Sequence, residues 1–215
     1  MRSRILASTL ALIVFSMLVA VRPAAGSTIS VGVAIFGPGS TLTTFTGLPD
    51  GTEVSGLTVS GIQFSYSLGL GQLVIDGGPG VTNNISPPNI VSVGNPAGVL
   101  TLVLPGLVDT FGYGFAVLNT APVANATTIQ LFNGATLVGS MSYAGVPDPV
   151  FAGGFAGIQS TLLFDSVRLT FNSVAAPAFA LDNVRTLNST SAVPEPGTIV
   201  LFATGLAFLW SRRRR

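Results

Sequence analysis

"GVLTLVLPGLVDTFGYGF", residues 98–115, decides the fold. It contains two runs of alternating apolar residues: Leu100, Leu102 and Leu104, then Phe111, Tyr113 and Phe115, with Val117 continuing the second. A period of two puts one face of a strand on a core and turns the other away from it. The pattern recurs on both sides. In "GLTVSGIQFSYS" (56–67), Ile62, Phe64 and Tyr66 alternate with Gln63, Ser65 and Ser67. "ATTIQLFNGATLVGS" (126–140) reads as a hairpin around Asn133-Gly134, a pair suited to tight primed turns. "DSVRLTFNS" (165–173) offers Val167, Leu169 and Phe171, and "AFALDNVRT" (178–186) offers Phe179 and Leu181. Outside the two ends no useful window keeps helical spacing. Short alternating strands, punctuated by turn residues, predict an all-β antiparallel sandwich with one buried face per sheet.

Composition agrees. The chain has 215 residues, 48% hydrophobic and 8% charged, with 26 glycines and 14 prolines, so it combines a core with many turns. It has no cysteine and no histidine, and all nine of its basic residues are arginine. Disulfides, thiolate nucleophiles and zinc–thiolate sites are therefore excluded. The net charge of +1 conceals a segregation. Between Ser27 and Val193, Arg168 and Arg185 stand against seven carboxylates, a net charge of −5. A nucleic-acid reader needs basic clusters to neutralise phosphate, and this middle has none.

The positive charges sit at the ends. Arg2 and Arg4 precede an uncharged stretch from Ile5 to Val21, and Ala24, Ala25 and Gly26 follow as small residues. These are the three parts of a secretory signal peptide, residues 1–26, with cleavage between Gly26 and Ser27. The alternative is a permanent N-terminal anchor. At the other end, "VPEPGTIVLFATGLAFLWSRRRR" (193–215) sets Pro194, Glu195 and Pro196 before 13 uncharged residues, 198–210, and then Arg212, Arg213, Arg214 and Arg215. As a helix the apolar part rises about 20 Å, against a hydrocarbon core of about 30 Å. The prolines oppose extending it backwards. The arginines stay cytoplasmic by the positive-inside tendency, which leaves the rest of the chain on the far side.

Extended motif, short apolar helix and terminal arginine cluster together resemble the PEP-CTERM sorting signal of bacterial exported proteins. The resemblance implies export through the secretion translocon and transient anchoring in the cytoplasmic membrane. It further implies processing near Pro194-Glu195-Pro196 by an exosortase, a membrane protease, and delivery to the cell surface or extracellular exopolysaccharide of a biofilm. The ordered patches of residues 40–187 also look like the body common in that family, a jelly-roll-like sandwich reminiscent of carbohydrate-binding modules. There the early Phe often precedes an acidic residue; here Phe45 precedes Thr46. The resulting division is signal peptide 1–26, β-sandwich 27–187, linker 188–193 and sorting tail 194–215.

The body offers little for catalysis, since His, Cys and Lys are absent from it. No two of Asp109, Asp165 and Asp182 converge by spacing, and Asp50 and Asp76 sit beside glycines as turn residues. The expectation is a non-enzymatic protein without an obligate cofactor. Calcium, which favours oxygen ligands, would find its best ligand in Asp182, with Asp50 and Glu53 secondary; the competing reading makes Asp182 a strand-end cap. For a carbohydrate ligand the candidates are Tyr143 as an exposed aromatic and the loop around Asn83 and Asn84 as a polar rim, whereas Tyr66 and Tyr113 share the core phase of their strands.

Overall fold

The computed structural model describes residues 26–189, so the signal peptide up to residue 25, the sorting motif and the C-terminal apolar helix lie outside the described residues. Within them are eleven strands: β1 (Thr28–Ser30), β2 (Thr41–Thr43), β3 (Thr58–Val59), β4 (Ile62–Tyr66), β5 (Leu73–Asp76), β6 (Asn89–Ser92), β7 (Leu100–Val117), β8 (Val123–Asn133), β9 (Thr136–Pro147), β10 (Ala152–Phe171) and β11 (Phe179–Leu187). A single 3-10 turn, Val33–Ile35, separates β1 from β2. The body is all-β, with every pairing between strands antiparallel.

Two long strands organise it. The expectation of uniformly short strands is corrected here, because β7 runs 18 residues and β10 runs 20. The first part of β7 pairs with β4 on one side and with the last part of β10 on the other. The second part of β7 pairs with β11 and with the first part of β10. β8 and β9 continue outward from the end of β10, and β6 and β5 continue outward from β11. Two groups of strands thus share two members, which bend between them at register shifts near Gln159, Phe164 and Ser166. Strands that change layer through bulges make the corners of such packings.

The groups meet face to face through the predicted apolar phases. Phe64, Leu100, Leu102, Phe111, Tyr113, Phe115, Val167, Leu169 and Leu181 all lie in one core cluster, each with at most 1% of its surface exposed. Tyr113, from the second part of β7, hydrogen-bonds the Thr127 hydroxyl on β8. Its ring lies 6.4 Å from that of Phe171, which stacks on Phe179 at 3.7 Å. These contacts join strands of different groups. The β8–β9 hairpin forms as expected, but Asn133 pairs with Thr136, so Gly134 and Ala135 carry the turn. Gly134, at φ 56°, holds the first central position, where a tight II′ hairpin places glycine.

Candidate functional site

The link from β5 to β6, residues 77–88, folds over the outer face of β6, β11, β7 and β10. Missing side chains make room for it. A Cβ on Gly114 would overlap the carbonyl of Asn84, and one on Gly153 would crowd Asn83. Ile85 then packs into a small cluster with Ala116 and Ala180. Asn83 and Asn84 take left-handed φ of 50° and 64°, which asparagine tolerates better than most residues. Asn83 is buried; its Nδ2 donates to the carbonyl of Phe151 at 2.7 Å and to Thr82 Oγ1 at 2.9 Å. Asn183 Nδ2 donates to the Asn84 carbonyl at 2.6 Å. Asp182, 1% exposed, accepts from the Ser86 backbone N–H at 3.1 Å. Burial holds its carboxyl above the ordinary aspartate range, while the N–H groups of Asn183 and Ser86 pull the other way.

The sequence-derived candidates scatter. Glu53 accepts from the backbone N–H of Gly71 at 2.7 Å and of Ser55 at 3.2 Å, which makes it a turn clamp. Asp50 sits in the preceding turn, where Gly51 N–H donates to the Ile75 carbonyl at 2.8 Å. Asp182 accepts from Ser86 through Oδ2 while its buried Oδ1 has no hydrogen-bond partner, and the proposed calcium trio is not assembled. Among the described residues no three His, Cys, Asp or Glu side chains gather to hold a metal ion. The sugar-contact trio also separates. Tyr143 is half-buried and donates its hydroxyl to the Gly157 carbonyl at 2.5 Å, with burial pushing its pKa up to about 12. Asn83 lies against Gly153, four residues and therefore about 13 Å along the same strand. Its place in an exposed rim is corrected: the residue is buried and its Nδ2 is held by Phe151 and Thr82, so only Asn84 remains exposed. Asp109 and Asp165 accept from the backbone of Ser189 and Gly134 respectively, far in the chain from the partner of Asp182. Tyr66 and Tyr113 are core residues, as their phase predicted.

A concave site does open at the edge of the 77–88 loop. This cleft of about 280 Å³ is walled by Phe151, Phe179, Val91, Leu118 and Pro79, with Asp76 at its polar side. Asp76, expected in a turn, is instead the last residue of β5, and its carboxylate accepts from the next backbone N–H. Phe151 is half-buried and Leu118 is half exposed, so the walls are accessible apolar surface beside one carboxylate. Sequence reading missed this cleft because its lining comes from five separated segments, none of which has an unusual local pattern.

Beyond the described residues, positions 192–215 match the PEP-CTERM protein-sorting motif. The chain carries a PEP-CTERM sorting signal. That signal supports an exported protein. No curated protein sequence matches the chain. Among solved structures, a mutant of the family 29 carbohydrate-binding module CBM29-2 is similar at 11% identity and a TM-score of 0.37, covering 72% of this chain and 96% of that one. Another mutant of the same module complexed with cellulohexaose gives 8% identity and 0.38, covering 70% and 92%. The catalytic domain of a GH87 α-1,3-glucanase in complex with nigerose gives 8% and 0.35, covering 80% of this chain and 30% of that one.

Among the described residues, this cleft sets apolar walls beside one carboxylate. Such a surface can stack a ring face and accept a hydrogen bond from a hydroxyl.

Proposed function

We propose that this chain is a non-enzymatic exported protein of the cell surface or extracellular matrix, delivered by exosortase processing of its tail. Its body is a jelly-roll-like sandwich that serves structurally or adhesively. The observation that carries the reading is the PEP-CTERM match over residues 192–215. The signal peptide feeds the translocon, and the short apolar helix and arginines hold the precursor in the cytoplasmic membrane. Pro194-Glu195-Pro196 stays extended for the protease, because each proline fixes φ and pushes the residue before it out of the helical region. The intact mass of the mature protein from its native host tests this. A form beginning near Ser27 and ending near Glu195 is expected; a full-length product retaining the arginines would refute it.

The cleft beside Asp76 favours a second reading, an exopolysaccharide-binding body. Half-buried Phe151 supplies a ring face and Asp76 an acceptor. A glycan array run with and without chelator separates the readings. Saturable binding lost on Asp76→Ala supports the cleft, and loss with chelator would add calcium to it.

A further inference from the structure

We propose that the cleft beside Asp76 selects a basic amino-sugar polymer, one whose rings carry free amines, over neutral, N-acetylated or uronic-acid chains. This selectivity rests on the exopolysaccharide reading of the same cleft and names the ligand class within it.

The polar inventory of the cleft is one-sided. Of the side chains that line it, that of Asp76 alone carries a polar atom; the others belong to alanine, valine, leucine, proline and phenylalanine, beside one glycine. The lining side chains thus hold one acceptor group and no donor. A uronate carboxylate or an acetamide carbonyl drawn into the cleft gives up water and meets no side-chain donor in exchange, which is costly for a polar group. The uronate also faces a like charge. A ligand that suits this lining brings donors, and an ammonium brings three of them together with a positive charge.

Asp76 is placed to receive it. The residue closes β5 and is exposed, and its described hydrogen bond is to the Gly77 backbone N–H through Oδ1, which leaves Oδ2 for a ligand. Phe151, in the apolar wall, is anchored through its carbonyl, which accepts from Asn83 Nδ2 at 2.7 Å and from the Asp148 N–H at 3.2 Å. Its side chain packs on the cluster of Ile85, Ala116 and Ala180, so the wall is fixed before a sugar arrives. At about 280 Å³ the cleft stands near the lower limit of ligand sites, about 300 Å³, and takes one ring of a chain.

The surroundings carry the same sign. Gly51 N–H donates to the Ile75 carbonyl at 2.8 Å, which sets exposed Asp50 beside the end of β5. Asp148, also exposed, is held at the Phe151 carbonyl. The two arginines of the described body stand elsewhere. Arg168 lies past the bend of β10, with its guanidinium 4.2 Å from the Phe132 ring centroid. Arg185 is five residues along β11 from Ala180, about 17 Å away.

Isothermal titration of the mature protein, at a mildly acidic pH where sugar amines are protonated, compares equal-length oligomers of glucosamine, N-acetylglucosamine, glucose and galacturonic acid. The glucosamine oligomer is expected to bind about tenfold more tightly than the glucose oligomer, the gain of a charged donor over a neutral one. The other two should bind more weakly than glucose. Asp76→Asn should erase the preference for the amine, whereas Asp165→Asn, which removes the same charge at the β8–β9 hairpin, should keep it. Equal loss in both variants, or an oligolysine of the same length that competes as well as glucosamine, reduces the preference to net charge and overturns the inference. Glucose or acetylated oligomers that bind as tightly as glucosamine, and lose binding on Phe151→Ala, refute the amine preference while the exopolysaccharide reading stands. If no oligomer binds saturably, that reading fails and takes the preference with it.

Discussion

The bond between Tyr113 and Thr127 should behave asymmetrically when cut from either side. Both residues are fully buried, and burial raises the phenol far above its ordinary pKa, so it stays protonated. Thr127 has a second partner, the Thr170 carbonyl at 3.1 Å from its Oγ1. Removing the phenol with Tyr113→Phe therefore leaves Thr127 satisfied and costs one neutral hydrogen bond, about 1 kcal/mol. Thr127→Val keeps the shape but strands a buried phenol and also loses the bond to Thr170. The stranding alone adds about 1–3 kcal/mol, for a total of about 2–4 kcal/mol. In the double variant no phenol remains to strand, so its cost should fall below the sum of the singles by about 1–3 kcal/mol. Urea unfolding of the mature protein at pH 7 reads these values, provided the denaturant slope stays constant. Additive single costs, or a Tyr113→Phe loss equal to that of Thr127→Val, would refute the view that this contact joins the two strand groups as a satisfied buried pair.

The same packing sets the outcome of other changes. Gly114→Ala drives a methyl into the Asn84 carbonyl, so it should cost about 1–3 kcal/mol and raise amide exchange in residues 82–86 before the rest of the sheet; uniform protection would argue against it. Asp182 has a raised folded-state pKa, so its contribution is fully present below 3.8 and is lost as pH rises through the folded value. Asp182→Asn should thus gain stability over wild type progressively across that window and then plateau, a trend that parallel urea curves would contradict. Replacing Glu195, or deleting Arg212–Arg215, should leave a membrane-retained precursor in the native host, visible by mass; normal maturation of both variants would count against the sorting role.

The cores of individual strands were legible; the way the strands join was not. Ile62, Phe64 and Tyr66 are buried and Gln63, Ser65 and Ser67 exposed, as alternation requires, because burial of one face is a local property. The site was harder to read. Asn83 and Asn84 looked like a solvent-facing rim because nothing local announces that Gly153 and Gly114 will clear space beneath them. Asp109 carried no signal at all: its partner Ser189 lies 80 residues away and is brought to it only when β11 pairs with β7. Side chains whose role is set by a distant backbone group stay unreadable until the topology is known.

One topological mark was nevertheless present in the opening stretch. Leu100, Leu102 and Leu104 are buried at even positions, while Phe111, Tyr113, Phe115 and Val117 are buried at odd ones. β10 makes the complementary change, from Ala152, Ala156 and Ile158 to Val167, Leu169 and Phe171. A strand that stayed in one sheet with this phase reversal would send half of its large residues to the wrong face. A strand folded over the core keeps one face on the concave side, so the reversal marks irregular residues in the link, where the register shifts between Gln159, Phe164 and Ser166 fall. Both reversals fall at the same bend, and the pairing register on its two sides is the same, Ala152 with Val117 before it and Leu169 with Leu100 after it. Two runs that period-two reading separates into different strands are thus one strand serving two layers, and the reversal across Pro105-Gly106 falls where β7 and β10 turn the corner together.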